Sequence, residues 1–211
     1  IFCFGWNPKT VITGDVASFP GYRVPYKVFK ILSRQNKRAI TEYQLLKIMD
    51  YVRALIFLAV YPVRVIYLIK HLGASYEAEL IRLALWDTLD YQVVSCYFRC
   101  LFGERVSQLS IPKITFISWY ENQPIDKSLY KGLRKVPGKV TIYGAQLNIW
   151  PPQFLNLYPD ENEIVFGVVP DKIMVNGHYF LPEKSSIPVH IGPSMRYRRL
   201  FEIEAAPLKS E

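Results

Sequence analysis

The C-terminal half of the chain alternates short runs of β-forming residues with helical or turn-rich stretches. A helical stretch, Asp126–Lys135, separates the first two of these runs. The runs are Ile114–Trp119, Val140–Tyr143, Lys172–Val175 and Pro188–Ile191. Such alternation is typical of parallel strands joined by crossover helices. We therefore expect an α/β fold, a three-layer domain with a mostly parallel sheet.

Polar residues follow three of the four runs directly. The first is followed by Glu121, Asn122 and Gln123, the second by Gly144, Ala145 and Gln146, and the third by Asn176, Gly177 and His178. In open parallel sheets, ligands bind beyond the carboxyl ends of the strands. The pattern therefore predicts a binding site at that edge of the sheet.

The N-terminal half has a mainly helical sequence pattern. A strand at Ile1–Phe4 and a turn-rich segment come first, and residues 41–103 then have helical periodicity. Gly73 is expected to end one helix, and Tyr76–Leu89 and Gln92–Leu101 to form the next two. The chain opens on a strand already under way and without Met, which suggests a fragment of a longer protein.

The segment from Ala54 to Ile69 is strongly apolar but short for a membrane span, since about 20 apolar residues are needed. It carries Arg64 in its middle, and Pro62 favours a kink. We interpret it as a kinked helix buried in the domain. The alternative is an interfacial element on a membrane surface, supported by Arg53, Arg64 and Lys70.

The chain has 211 residues and a formal net charge of +8, which favours a negatively charged partner. Nucleotide phosphates, nucleic acid and an anionic membrane all qualify, but scattered basic residues and the lack of a recognition motif disfavour nucleic acid. The cysteines Cys3, Cys96 and Cys100 form no disulfide framework. With no signal-peptide pattern at the start, we expect a cytoplasmic location, peripheral at the inner face of the membrane if the segment contacts lipid.

Four segments in order resemble surface-carbohydrate biosynthesis proteins of bacteria. They read FISWYENQPIDKSLYKGLR, IYGAQLNIWPP, VPDKIMVNGHYF and HIGPSMRYRRL, and together cover roughly residues 114–200. The resemblance is to two-domain glycosyltransferases of the GT-B type that build capsule or O-antigen polysaccharides. It implies a Rossmann-like acceptor-side domain over residues 1–190, with a helical insertion at about 41–103. Residues 191–211 would be a crossover linker or the start of a missing donor-binding domain.

On this resemblance, Glu121 is the candidate catalytic base, because an inverting transfer needs a base near the acceptor hydroxyl and a carboxylate can remove that proton. The alternative is a structural carboxylate paired with Lys127 or Arg134. Lys127, Lys131 and Arg134 share one helix face by their spacing and could hold a phosphate or an acidic sugar, or form a solvated face. The other candidate substrate contacts are Asn122, Gln123, Gly144, Gln146, Asn176, His178 and Arg196.

The predicted function is transfer of a sugar from a nucleotide sugar to a growing bacterial surface polysaccharide. The acceptor would be a glycan or a lipid-linked glycan, and the donor would bind through the missing domain, so this fragment alone should be inactive. We expect no cofactor and no metal in this domain, because no DxD carboxylate pair occurs. Alternatives are a non-catalytic scaffold module of a membrane-surface polysaccharide-assembly complex, and a sugar-nucleotide epimerase.

Overall fold

The computed structural model describes residues 11–14, 23–35, 38–73, 75–87, 91–146 and 159–192, which form a mixed α/β structure with parallel sheets. The helices are α1 (Arg23–Arg34), α2 (Ile48–Leu72), α3 (Tyr76–Asp87), α4 (Tyr91–Ser107), α5 (Pro124–Leu133) and α6 (Glu161–Val165). The strands are β1 (Val11–Gly14), β2 (Arg38–Thr41), β3 (Ile114–Trp119), β4 (Val140–Ala145), β5 (Lys172–Val175) and β6 (Val189–Ile191). Short 3-10 helices cover Glu42–Gln44 and His178–Phe180. The predicted strand at Ile1–Phe4 lies outside the described residues.

Every strand pair that the structure describes is parallel, which confirms the predicted sheet type. β1 and β2 form a two-stranded sheet of their own, and β3, β4, β5 and β6 form a four-stranded sheet in that order. Phe116 pairs with Ile142, Gly144 with Ile173, and Met174 with His190. This register places the carboxyl ends of all four strands along one edge.

One face of the four-stranded sheet carries the hydrophobic core. Because side chains alternate between faces and the strands are in register, one face collects the buried side chains of Phe116, Ile142, Ile173 and Val175. These side chains cluster with residues of α4 and α5: Phe102, Val106, Leu129, Tyr130 and Leu133. On the other face, Thr115 and Trp119 are exposed and Tyr143 is half-buried. The described residues thus supply two layers, and the third layer stays a prediction.

Helices α4 and α5 approach each other closely because glycine stands at both sides of the contact. A Cβ atom built on Gly132 would lie 2.0 Å from the carbonyl oxygen of Cys100, and one on Gly103 would lie 2.6 Å from that of Leu129. Both obstacles are backbone atoms, which cannot move aside as a side-chain tip can. Absence of a side chain at these positions therefore sets the distance between the two helices.

Helix α2 is continuous through Pro62 and ends at Gly73, which adopts a φ of 64°. The prediction that this segment is buried was wrong. Only 11% of the most apolar 18-residue window of α2 is buried, and α2 is the one described helix long and apolar enough to cross a membrane by length and composition. The periodicity correctly indicated a helix, but an apolar sequence does not reveal what covers it.

Ion pairs join the first two turns of α2 to the end of α4. Asp50 is fully buried and accepts hydrogen bonds from Nε and Nη2 of Arg105, both at 2.7 Å. Arg53 donates to both carboxylate oxygens of Glu104, at 2.8 and 3.3 Å. These contacts fix α2 to the domain at its N-terminal end.

Candidate functional site

Three polar segments lie side by side at the carboxyl edge of the four-stranded sheet. Trp119 at the end of β3 pairs with Ala145 at the end of β4, and Ala145 pairs with Met174 near the end of β5. The residues that follow, Glu121, Gln146 and Asn176, are therefore ordered along one edge, as the sequence predicted. The strand order does not reverse among the described strands, so the edge is a row of strand ends without the crevice that a reversal creates.

The turn between β3 and α5 contains a residue with an uncommon backbone conformation. Asn122 is the only non-glycine residue with a positive φ, 55°, among those that the structure describes. Its side chain is buried, and its Nδ2 donates to Oε2 of Glu163 at 3.0 Å. Its Oδ1 is buried without a hydrogen-bond partner among the described residues. Buried acceptors without a partner are uncommon. Left-handed non-glycine residues, among which asparagine is the most readily accommodated, cluster at functional sites.

Asp126 holds this turn in place, a role that we did not predict from the sequence. Its Oδ2 accepts from the backbone N–H groups of Glu121 at 3.1 Å and Gln123 at 3.2 Å. Gln123 is the N-cap of α5, Pro124 follows it, and Asp126 is at the third helical position. This order is the pattern of a helix start closed by an acidic residue, so the sequence did contain the signal.

Glu121 is partly exposed next to this cap, and its Oε2 accepts a hydrogen bond from Nε2 of Gln123 at 3.0 Å. The two predicted site residues are thus in direct contact. The two basic residues considered as structural partners of Glu121 each have another carboxylate partner. Lys127 pairs with Glu163, and Arg134 pairs with Asp171 at 2.9 Å.

The basic face of α5 is directed at the segment between α6 and β5. Lys131 donates to the carbonyl oxygen of Phe166 at 2.7 Å, and Arg134 donates to that of Val169 at 2.7 Å. Together with the Lys127–Glu163 pair, these contacts clamp α5 to residues 163–171. All three basic side chains therefore have a structural role, and their assignment to substrate binding stays a prediction.

The structure places the other predicted residues as follows. Gly144 packs under Tyr120, and a Cβ atom there would lie 2.9 Å from that side chain and 3.0 Å from Pro170. Gln146 is buried, and its N–H donates to the carbonyl oxygen of Met174 at 2.9 Å. Asn176 is half-buried after β5, and His178 is exposed. Arg196 lies outside the described residues.

A cavity of about 730 Å³ lies between α2, α4 and α5, beside the basic face. Phe57 of α2 stacks on Tyr97 of α4 with ring centroids 4.1 Å apart. Burial raises the pKa of the Cys100 thiol in its wall, so this thiol is protonated near neutral pH. Its lining is mainly apolar: Phe57, Tyr61, Val93, Tyr97, Phe166 and Val168. Among the residues that the structure describes, no group of three or more His, Cys, Asp or Glu could hold a metal ion.

Comparisons with known proteins add no assignment. Neither a protein-family model, nor a curated protein, nor a solved structure matches this chain. The β3–α5 turn is the part of the described structure whose geometry bears most directly on function.

The pH dependence of unfolding should report Asp126. Burial raises the pKa of its carboxyl group from 3.8 to about 6, against the lowering effect of the hydrogen bonds from Glu121 and Gln123. The folded state thus binds this proton more tightly than the unfolded chain. The protonated carboxyl group stabilises the folded state fully below about pH 4. This contribution decreases as the pH rises and is lost above about pH 6. Between about pH 4 and pH 6, the free energy of unfolding measured in urea should fall by about 3 kcal/mol more in the wild type than in Asp126→Asn. Equal slopes in the two proteins would contradict the assignment.

Proposed function

We propose that this chain is the Rossmann-like acceptor-side domain of a GT-B-type glycosyltransferase that builds a bacterial surface polysaccharide, capsule or O-antigen. The observation that carries the proposal is the β3–α5 turn. It presents a partly exposed carboxylate, Glu121, on a backbone fixed by Asp126, at the carboxyl edge of the four-stranded parallel sheet. The ordered resemblance over residues 114–200 supports the same assignment.

In this proposal Glu121 acts as the general base. Its carboxylate takes the proton of an acceptor hydroxyl while that oxygen forms a bond to the anomeric carbon of the donor sugar. The bond from that carbon to the nucleotide diphosphate breaks, and the diphosphate leaves with the electron pair. The donor domain would hold the nucleotide, and this domain would supply the base and no metal or cofactor.

The neighbouring polar groups suit a sugar acceptor. Gln123 contacts the Glu121 carboxylate and can hold its orientation. Asn122 belongs to the same turn, and its buried Oδ1 is an acceptor without a partner among the described residues. Asn176 and His178 follow β5 along the same edge and would extend the acceptor surface, and the buried Gln146 after β4 would support it from below.

A scaffold module of a membrane-surface assembly is the second candidate, and the exposed apolar surface of α2 favours it. In that case the Glu121 carboxylate would be dispensable. A sugar-nucleotide epimerase, the third candidate, would act without any acceptor. Dependence of nucleotide release on Glu121 and on acceptor therefore separates the three.

The test uses the complete protein that contains this chain, incubated with a panel of nucleotide sugars and a lipid extract of the source cells. Nucleotide release and glycan mass are measured. Glu121→Gln keeps an oxygen that can accept from Gln123 but removes the base, so release should fall by about 10²–10⁴-fold. Glu161→Gln, an exposed carboxylate on α6, is the matched control and should retain wild-type release.

The other outcomes are equally informative. Acceptor-dependent release that survives in Glu121→Gln would keep the transferase and reject Glu121 as the base. Release without acceptor would favour the epimerase. No release from any donor would reject the transferase in favour of the scaffold module.

A further inference from the structure

The outer side of α2 is an apolar surface with no described partner. Thirteen large apolar side chains of this helix are exposed, so the surface is continuous along its whole length. Ile48, Val52, Leu55, Val63 and Ile66 recur at helical spacing and form its central stripe. Leu55 and Val63 are 67% and 64% exposed. Contiguous apolar surface of this kind marks an interaction site.

The opposite side of α2 is the part that belongs to the domain. Asp50, Ala54 and Val65 are the buried residues of the helix, and they lie on one narrow face. The ion pairs of Asp50 and Arg53 with α4 fix the same face at the N-terminal end. The apolar stripe is consequently turned away from the body of the protein.

Helix α3, which packs against α2, adds a second stripe. Tyr76, Leu80, Leu83 and Trp86 follow one another at spacings of four, three and three, and Tyr76 and Trp86 are about three-quarters exposed. Glu79 beside this stripe is paired with Arg82. Tyrosine and tryptophan at the ends of an apolar stripe suit the boundary between lipid headgroups and acyl chains, where their apolar rings are buried and their polar atoms stay hydrated.

The cationic side chains of α2 distinguish a helix that lies in a membrane surface from one that crosses it. Arg53 and Arg64 are eleven residues apart, about three turns, so they share one side of the helix, between the apolar stripe and the buried face. Arg64 is exposed midway along the helix. In a spanning helix it would be at the bilayer centre, whereas in an in-plane helix its long side chain can reach the lipid phosphates.

We propose that the α2–α3 hairpin is the surface by which this protein docks on an anionic lipid bilayer, with α2 lying in the plane of the interface. The apolar stripe contacts the acyl chains, and Arg64 reaches the lipid phosphates. Helix α2, which lies on the bilayer in this arrangement, carries three basic residues, Arg53, Arg64 and Lys70, against the single acidic residue Asp50, and this is the sign that an anionic partner requires. The inference does not depend on the proposed sugar transfer, since it concerns a different surface and needs no catalytic residue.

The experiment is vesicle flotation of the 211-residue chain, with phosphatidylcholine vesicles that contain or lack phosphatidylglycerol. We expect the wild type to float with the anionic vesicles and less with the neutral ones. The double variant Leu55→Glu/Val63→Glu should bind at least about tenfold more weakly, because it places two carboxylates in the apolar stripe. Val165→Glu/Tyr179→Glu makes the same change in net charge at exposed positions away from α2 and should bind like the wild type.

Further measurements separate the rival occupants. Trp86 fluorescence should shift to shorter wavelength on binding, and Trp86→Phe should lose that component. An alkaline carbonate wash should release the in-plane protein, so retention after the wash would overturn the in-plane orientation. If the wild type binds neither type of vesicle but is oligomeric, and the Leu55→Glu/Val63→Glu variant is monomeric, the surface is a protein interface and the proposal is wrong. Equal flotation of both double variants would also overturn it.

Discussion

Gly132→Ala should destabilise the domain by about 3 kcal/mol or more, although alanine is the better helix former. The new Cβ would lie 2.0 Å from the Cys100 carbonyl oxygen and 3.0 Å from the Glu104 backbone nitrogen, so α4 and α5 must separate. Separation would loosen the packing of Phe102 and Leu133, which are fully buried between the helices and the sheet. Overpacking of a dense core commonly costs about 1–3 kcal/mol, and more where the backbone itself must move. Urea unfolding monitored by circular dichroism measures the change.

The sign of this change is the decisive result. In a helix without a close neighbour, Gly→Ala would stabilise by about 1 kcal/mol. Ser128→Ala, one turn earlier in α5 and beside the cavity, is the control and should change the free energy of unfolding little. A stabilised Gly132→Ala protein would show that α4 and α5 do not approach at this point.

Asp50→Ala should cost about 3–5 kcal/mol, the range for removing one partner of a buried ion pair. The carboxylate is fully buried and accepts from Arg105 and from the N–H of Lys47 at 2.8 Å. Burial alone would raise its pKa, but these hydrogen bonds and the positive charges of Arg105 and Arg53 together outweigh burial and lower it. The substitution leaves the guanidinium of Arg105 without this carboxylate and removes the cap at the start of α2. We expect a lower urea midpoint and loss of α2 attachment, visible as faster amide hydrogen exchange in residues 48–60.

An exposed pair provides the comparison for Asp50. Glu79 and Arg82 of α3 form an ion pair on the surface, and exposed pairs contribute about 0.2–1 kcal/mol. Glu79→Ala should therefore leave the urea midpoint nearly unchanged. If Asp50→Ala and Glu79→Ala had similar effects, the Asp50 carboxylate would not be the contact that holds α2 to α4.

The sheet could be predicted well because its signals are local. The bounds of β3 and β5 agree with the sequence prediction, β4 extends two residues further, and β6 begins one residue later. Each strand is a short run of β-forming residues closed by turn residues, so the neighbouring sequence carries the information. The β1–β2 sheet and α1 were not predicted, because the first forty residues contain many turn-forming Gly and Pro residues and show little hydrophobic periodicity.

The site was predictable in position but not in its contacts. Parallel strands bring their ends together by geometry, so Glu121, Gln146 and Asn176 could be placed at one edge in advance. The partners of the α5 basic face could not, because Glu163 and Asp171 come from a segment more than thirty residues away. The start of α5 at Pro124 was missed only because the cap formed by Gln123 and Asp126 was overlooked.

The orientation of α2 could not be derived from its sequence. A helix that is apolar on nearly all sides is compatible with a protein core or with lipid, and periodicity does not distinguish them. The contacts of Asp50 and Arg53 with α4 are what decide which side belongs to the domain.

The consecutive strand order of the four-stranded sheet has a consequence for how the chain folds. Each of β3, β4 and β5 pairs with the described strand that follows it in the sequence, so none of these three pairings joins strands from separate parts of the chain. Each step closes one crossover between strands that are neighbours in the sequence, and none requires a strand to insert between two that are already paired. During synthesis the sheet can grow one strand at a time from β3, while α2 and α3, already made, still expose their apolar stripes. The exposed hairpin is thus available to a lipid surface before the sheet is complete.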